Sequence, residues 1–363
     1  MKFIFYQNIL SILQRALLTE LAKRHEVILV AERELTSVRA NSGWKRPDFT
    51  GCRVIVAPDD GVLRELAGTT DALHVFIGVR AFAMVERAFE YSLAHDVLRL
   101  VFMEPLSTLG WRAPFRRLCY RWSARRYNRW ISGFLCTGKL GVECYTNIGL
   151  APDKIFEFGY FTDPPTVADE LECDSSGSPS IVFVGSLDRR KNVLPLARAL
   201  VELQSEFGAA DFIGRGAFEG KLLEIIGKTP NIHYLGTVEN SRIGEVVGAH
   251  DILVLPSLFD GWGAVVNEAL QCGCRVVVSD SCGASTLIVG SDRGTVYSNR
   301  DPDGLKKALH RELNRGRTSP EMRRDIRQWC ESRISGAAAA EYLLRIVDRI
   351  KNGGARPQPP WAE

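Results

Sequence analysis

Short apolar runs alternate with segments of helical period from one end of the chain to the other. In the first half the runs predict strands at Lys2–Tyr6, Val27–Ala31, Arg53–Ala57, Leu73–Ile77, Leu98–Met103, Phe134–Thr137 and Ile155–Phe158. Between the first two, Leu10, Leu13, Leu17 and Leu21 form one apolar helical stripe. Asp163–Pro179 then breaks the alternation: it is acidic, rich in Pro, Gly and Ser, and has no period, which marks residues 164–180 as an interdomain linker. Strands resume at Ile181–Gly185, Ala210–Ile213, Ile232–Leu235, Ile252–Leu255, Arg275–Ser279 and Thr295–Tyr297. Helices follow at Glu321–Cys330 and Ala337–Lys351. The Gly- and Pro-rich stretch 353–363 is expected to be a disordered tail.

Strand–helix alternation of this kind predicts an α/β chain with two Rossmann-like, doubly wound parallel-sheet domains facing across a cleft. The domains are expected at 1–163 and 181–335, with the helix at 336–352 packing back toward the first. A length of 363 residues exceeds what one core usually supports, and 45% hydrophobic with 25% charged residues is an ordinary globular composition. The apolar runs are too short to span a bilayer, and Met1-Lys2-Phe3-Ile4-Phe5 leads straight into a strand. Neither a signal peptide nor a transmembrane helix is therefore expected, and the expected location is the cytoplasm. Nine cysteines without metal-type spacing, among them Cys272, Cys274 and Cys282 at buried-type positions, suggest free core thiols and no metal site.

The first strand-to-helix turn, Gln7-Asn8-Ile9-Leu10-Ser11, holds no glycine, and the first glycine of the chain is Gly43. A classical dinucleotide site needs glycines at that turn, so a nicotinamide-dependent dehydrogenase is disfavoured. No P-loop run occurs either. A nucleotide is therefore expected in the second domain, where three stretches have suitable chemistry.

Strand Ile181–Gly185 opens through Ser186-Leu187-Asp188 into the cations Arg189, Arg190 and Lys191, which suit a diphosphate gaining charge as a bond breaks. A solvated turn before a helix would look the same. Asp211-Phe-Ile-Gly214-Arg215-Gly216 is a strand-end Gly-x-Gly that could approach the same phosphates. The third stretch, Asp251–Gly283, places Asp260 in a loop and Glu268 one to two turns inside a helix. Gly261, Trp262, Gly263, Ala264 and Val265 lie between them, with backbone N–H groups directed at an anion over the helix start. Glu268 can take both hydroxyls of a ribose and Asp260 the hydroxyls of a sugar, although acids near a helix start are also ordinary dipole complements.

In this order and spacing the three stretches resemble family 4 of the retaining glycosyltransferases, which have the GT-B fold. Gly149-Leu-Ala-Pro-Asp-Lys-Ile-Phe156, Tyr160-Phe-Thr-Asp163, Phe183–Asn192, Leu235-Gly-Thr-Val238 and Pro256–Leu270 carry the resemblance across nearly the whole chain. It implies retaining, hexosyltransferase-like transfer from a nucleotide-sugar donor that acts as co-substrate, with no cofactor and no metal. Lys191 and Arg190 would stabilise the leaving diphosphate, with Gly185 and Ser186 beside them. Asp260 would bind the sugar, Glu268 the ribose, Gly263 to Val265 the phosphate, and the main chain around Thr237 and Val238 the nucleobase. The chain departs from the family at several positions. Asp260 stands where Glu is usual and Ser186 where an arginine is frequent, with Arg190 its substitute. Glu104 occupies the place of a histidine, where it could orient the acceptor, act as a base, cap a helix or pair with the arginine segment.

That segment, Trp111–Trp130, holds seven arginines (112, 116, 117, 121, 125, 126, 129) and no acid, although the whole chain carries only +3. A helix from Pro114 onward would place Phe115, Leu118 and Trp122 on a face able to pack against the sheet, and Arg117, Arg121 and Arg125 on another. Two uses are open: a solvated outer face, or attraction to an anionic membrane surface, which would suit a glycan or lipid-linked acceptor and peripheral docking on the inner face of the cytoplasmic membrane. Nucleic acid is not an expected partner, because no recognised module accompanies the charge. The expected role is transfer in cell-surface polysaccharide biosynthesis. Transfer to a small secondary metabolite, or an inert sugar-nucleotide-binding subunit, are the alternatives.

Overall fold

The computed structural model describes residues 1–36, 46–165 and 177–362. They form two compact units, Met1–Asp163 with Ile334–Glu363, and Pro164–Arg333. Most of the expected linker, residues 166–176, lies outside the described residues.

In the first unit the strands are β1 (Lys2–Ile9), β2 (Glu26–Arg33), β3 (Arg53–Val56), β4 (Ala72–Ile77), β5 (Leu98–Met103), β6 (Gly133–Thr137) and β7 (Ile155–Phe158). Its helices up to β7 are α1 (Ile12–Ala22), α2 (Asp60–Ala67), α3 (Ala83–Ser92), α4 (Ala113–Tyr127) and α5 (Gly138–Asn147). The sheet runs β3-β2-β1-β4-β5-β6-β7 with every pairing parallel. Phe5 lies opposite Leu29 on one side and Val75 on the other, and all three are buried, as expected where helices cover both faces. The chain winds outward through β2 and β3 and then crosses to the far side of β1, so the winding reverses between β1 and β4.

The second unit repeats the plan. Its strands are β8 (Ser180–Val184), β9 (Ala209–Ile213), β10 (Ile232–Gly236), β11 (Ile252–Leu255), β12 (Arg275–Ser279) and β13 (Gly294–Tyr297), in the order β10-β9-β8-β11-β12-β13. Around them lie α6 (Val193–Glu202), α7 (Glu219–Ile226), α8 (Ile243–Gly248), α9 (Val265–Gln271), α10 (Gly304–Asn314) and α11 (Pro320–Arg333). Here the winding reverses between β8 and β11. Every residue of β11 and β12 is buried, Arg275 included; its guanidinium is neutralised by Glu312 at 2.8 Å, the condition for burying a charge. Cys272, Cys274 and Cys282 are buried free thiols.

The final helix, α12 (Gly336–Asn352), belongs to the first unit and packs on α1. A side chain at Gly336 would come within 2.4 Å of the Ala16 carbonyl oxygen. The tail beyond it is not the disordered segment expected from composition. Trp361 is buried, stacks obliquely on Phe161 at 5.8 Å, and its indole N–H donates to Glu157 Oε1 at 3.1 Å. One buried aromatic outweighs the turn-forming residues around it.

The arginine segment also differs from expectation. It is helical, but α4 is turned so that Ala113, Ser123 and Ala124 are buried and Tyr120 and Tyr127 pack on the core. Phe115, Leu118 and Trp122, expected to face the sheet, are 63%, 65% and 59% exposed, and Trp111 is 75% exposed. Small and amphipathic residues permit a closer approach to the sheet than the bulky face would.

Candidate functional site

The candidate residues of the second unit gather at the C-terminal ends of β8 and β11, where its winding reverses and open α/β sheets place their ligands. The loop after β8 is shaped by Asp188. Its Oδ1 accepts the Lys191 backbone N–H at 2.8 Å, its Oδ2 accepts the Ser186 hydroxyl at 2.8 Å, and Asn192 takes a left-handed φ of 57° before α6 begins. These bonds direct Lys191 back toward β11.

Two glycine turns hold this loop close to the end of β9. A Cβ on Gly214 would lie 1.9 Å from the Gly185 carbonyl oxygen and one on Gly216 2.3 Å from that of Leu187, so neither position admits a side chain. Backbone bonds from Gly185 to Ile213 (3.0 Å) and from Leu187 to Arg215 (2.8 Å) cross the same contact. Arg215 is exposed beside it. Tyr234, which the sequence did not single out, fixes the turn further by donating its hydroxyl to the Gly214 carbonyl at 2.9 Å.

The loop after β11 brings Asp260 onto the cations. Lys191 Nζ donates to Asp260 Oδ2 at 2.6 Å with both side chains nearly buried, and Arg190 Nη1 approaches the same oxygen at 3.3 Å and the Phe259 carbonyl at 3.4 Å. The two loops are also tied by the Leu258 N–H to the Arg190 carbonyl at 2.8 Å. Sequence reasoning assigned Asp260 to sugar hydroxyls and Lys191 to diphosphate; the structure pairs them with each other. Arg190 is the more open cation, its side chain 41% exposed.

Asp260 is held in place by a short parallel bridge to Cys282, with the Asp260 N–H donating to Ser281 and the Gly283 N–H to Asp260. Gly263, at φ 90°, passes so close to Cys282 that a Cβ would lie 2.6 Å from its sulfur. Trp262 is buried and its indole N–H donates to Asn267 at 2.8 Å. Gly261 is buried, whereas Ala264 and Val265 at the start of α9 are partly exposed. Glu268 lies in the first turn of α9, nearer the loop than expected, because the helix begins only at Val265. Its carboxyl makes no hydrogen bond or salt bridge among the described residues. Burial raises it to about 7, with the Lys191 ammonium opposing. Glu268 is partly exposed, and an unpartnered carboxyl whose proton is held up by burial near a cation marks a candidate binding group.

Thr237 is exposed and Val238 partly exposed in the loop after β10, whose Gly236 carbonyl accepts the Gly214 N–H at 2.8 Å. Glu104 belongs to the first unit, after β5. It is exposed, its carboxylate accepts the Tyr160 hydroxyl at 2.8 Å, and its carbonyl accepts the Tyr145 hydroxyl at 2.6 Å. Asp188, Tyr234 and the Ser281–Gly283 strap were missed as site residues. Only Asp188 left a signal, as an acid placed to cap the backbone of the third residue after it.

Residues 178–315 match the family model described as glycosyl transferases group 1. The putative teichuronic acid biosynthesis glycosyltransferase TuaC of Bacillus subtilis is 28% identical over 163 residues, 45% of this chain and 40% of its own length. The phosphatidyl-myo-inositol mannosyltransferase of Mycolicibacterium smegmatis is 29% identical over 135 residues, 36% of this chain and 35% of its own. The chain thus spans well under half the length of these curated relatives. The crystal structure of Anabaena HepE in complex with UDP superimposes with a TM-score of 0.71 at 12% identity, covering 96% of this chain and 100% of that one. The fold is GT-B.

Proposed function

We propose that the protein is a retaining glycosyltransferase that moves a hexosyl group from a nucleotide-sugar donor bound by the second unit to a hydroxyl of a glycan or lipid-linked acceptor, in polysaccharide biosynthesis. The observation that carries this is the pairing of Lys191 and Arg190 on Asp260 beside the unpartnered Glu268, at the reversal point of a parallel sheet. Named relatives that are glycosyltransferases, and a fold neighbour described in complex with UDP, support it.

In this mechanism Asp260 fixes two cations before the donor arrives. Arg190, the more open of them, meets the diphosphate, and Lys191 supports it from behind. The cations are already oriented when charge develops on the leaving oxygen, so little reorganisation accompanies bond breaking. Glu268 accepts the hydroxyls of the ribose. The acceptor hydroxyl adds to the anomeric carbon on the face the diphosphate leaves, and the departing phosphate oxygen takes its proton. No step requires a metal, so activity should survive chelation.

The exposed aromatics of α4 beside Arg117, Arg121 and Arg125 support contact with an anionic membrane surface, and hence a membrane-borne acceptor at the inner face of the cytoplasmic membrane. Among the described residues no helix is long and apolar enough to cross a membrane.

Thermal-shift titration with UDP-, GDP- and ADP-sugars, followed by donor hydrolysis without acceptor, tests the proposal. One donor class is expected to stabilise the protein and to be slowly cleaved. Glu268→Ala is expected to reduce that cleavage by at least about tenfold. Full activity in this variant, or cleavage of no donor, would overturn the assignment.

A further inference from the structure

The parallel sheet of the first unit has a cavity at each end. The one at the C-terminal ends of β1, β4 and β5, about 610 Å³, is walled mainly by apolar residues such as Leu13, Phe82, Met103 and Leu106. The Nε2 atoms of Gln7 and Gln14, buried beside it, lack hydrogen-bond partners. The other cavity, about 710 Å³, lies at the N-terminal ends of the same three strands, where Lys2, Ala72 and Leu98 begin them. Its chemistry is the reverse. Four cationic side chains line it, Lys2, Arg99, Arg129 and Lys351, against two carboxylates, Asp71 and Asp96.

The four cations come from separate elements. Lys2 opens β1, Arg99 lies in β5, Arg129 in the single turn Asn128–Trp130 that follows α4, and Lys351 in the last turn of α12. Arg99 is 4% exposed, and its guanidinium donates only to neutral oxygens. Nε reaches the Ser92 hydroxyl at 2.9 Å, Nη1 the carbonyls of Val97 at 3.0 Å and Trp130 at 3.3 Å, and Nη2 the carbonyls of His95 at 2.6 Å and Ser92. These bonds use every donor and tie the end of α3 to the approach to β6. They bring no full negative charge to a buried cation, which ordinarily has one. Arg275 of the second unit, buried as deeply, has Glu312 at 2.8 Å. Burial accordingly pulls the Arg99 guanidinium below its usual range, with Asp96 opposing.

The remaining cations are free to make contacts. Lys2 has Glu26 at 3.2 Å, whereas Arg129 rests against the Trp130 ring at 4.9 Å, and neither Arg129 nor Lys351 has a carboxylate partner among the described residues. Both are exposed. Four cations against two carboxylates leave an excess of two, and a phosphomonoester carries about −1.5 to −2 at neutral pH. The volume exceeds what a bare phosphate fills and falls within the roughly 300–1,000 Å³ usual for small-molecule sites. We propose that this cavity binds an organic phosphomonoester. Lys2, Arg129 and Lys351 make the direct contacts, Arg99 acts through its field, and the exposed Trp130 meets the organic body. A soluble phosphomonoester and the head group of a monoester lipid share this chemistry. The site does not rest on the glycosyltransferase reading.

Calorimetric titration of the full chain with glycerol 3-phosphate and with glycerol, and co-sedimentation with phosphatidylcholine vesicles carrying either phosphatidic acid or the diester phosphatidylglycerol, provide the test. The double variant Arg129→Gln, Lys351→Gln is expected to keep its melting temperature and to bind the monoester at least about tenfold more weakly. Lys351→Glu alone, expected to have at least as large an effect, serves if that pair does not fold. Saturable binding of glycerol 3-phosphate but not glycerol, weakened in these variants, supports a soluble ligand. Absence of that binding, with the double variant losing phosphatidic acid vesicles at least about fivefold more than phosphatidylglycerol vesicles, supports a lipid head group; the comparison removes the general attraction of α4 for anionic surfaces. Binding of neither probe, unchanged affinity in the variants, or equal loss of both vesicles without glycerol 3-phosphate binding overturns the proposal. So does loss of glycerol 3-phosphate binding in Arg190→Gln, which would place the phosphate in the second unit instead.

Discussion

Where the first sheet reverses, between β1 and β4, it opens on an apolar cavity whose buried polar atoms lack partners; where the second reverses, between β8 and β11, it opens on Lys191, Arg190 and Asp260, already bonded to one another. The same topology thus carries opposite chemistry. The difference follows from what burial costs. A carboxamide can wait unpaired at a tolerable penalty, whereas a nearly buried ammonium needs its counter-charge within the protein. The second site is therefore organised before any ligand arrives, with Glu268 as its open group. The first leaves its buried polar atoms unpaired.

The largest expected effect breaks the second site through its backbone. Gly214→Ala forces a Cβ onto the Gly185 carbonyl at a φ of 137°, and should cost on the order of 5 kcal/mol in denaturant unfolding, with donor binding lost. Next, Lys191→Met strands Asp260 with Arg190 as its remaining partner. A loss of about 3 kcal/mol in unfolding free energy, at the low end for a broken buried pair, is expected, together with at least about tenfold slower donor turnover. An unchanged denaturation midpoint would show that the pair contributes nothing.

The third prediction concerns pH. Glu268 holds its proton to about 7 because it is desolvated, above its ordinary 4.5. A carboxyl raised in the folded state contributes stability that is fully present below the ordinary value and lost as pH rises through the raised one. The ligand-free protein should therefore lose stability between about 4.5 and about 7, while donor affinity, which needs the carboxylate, rises over the upper part of that window. Melting curves and donor titrations across it should show both slopes, and Glu268→Gln should flatten both. The smallest effect on stability is expected on α4. Phe115→Ser and Trp122→Ser should each change it by less than about 0.5 kcal/mol, because both side chains are exposed. Their effect should fall on co-sedimentation with anionic vesicles, where Arg117→Gln should cost about 1 kcal/mol at low salt.

The strands were legible because buried parallel strands are written as continuous apolar runs. Ile252–Leu255 and Arg275–Ser279 match the structure residue for residue. That position 214 needs a glycine was legible because the requirement is local, although what it approaches is the Gly185 carbonyl. The Lys191–Asp260 pair was not, since it joins loops 69 residues apart and depends on β8 and β11 being neighbours. The orientation of α4 was misread for a different reason. Helical period identifies faces but not which one turns inward, and here Ala113, Ser123 and Ala124 win over Phe115, Leu118 and Trp122 because small side chains fit the available gap. Trp361 shows the same limit, as one residue that finds Phe161 and Glu157 overrides a turn-rich composition.

Because Ile334–Glu363 returns to the first unit, Pro164–Arg333 is in genetic terms an insert within another domain. A stop codon after Arg333 would therefore not trim an appendage. It would remove α12 from α1, the Tyr342 ring from Phe158 and the Trp361 ring from Phe161, leaving aromatic surface open to solvent and to other chains. Dissection by cloning is accordingly asymmetric: the second unit can be excised as one contiguous reading frame, whereas the first can be made only by splicing two.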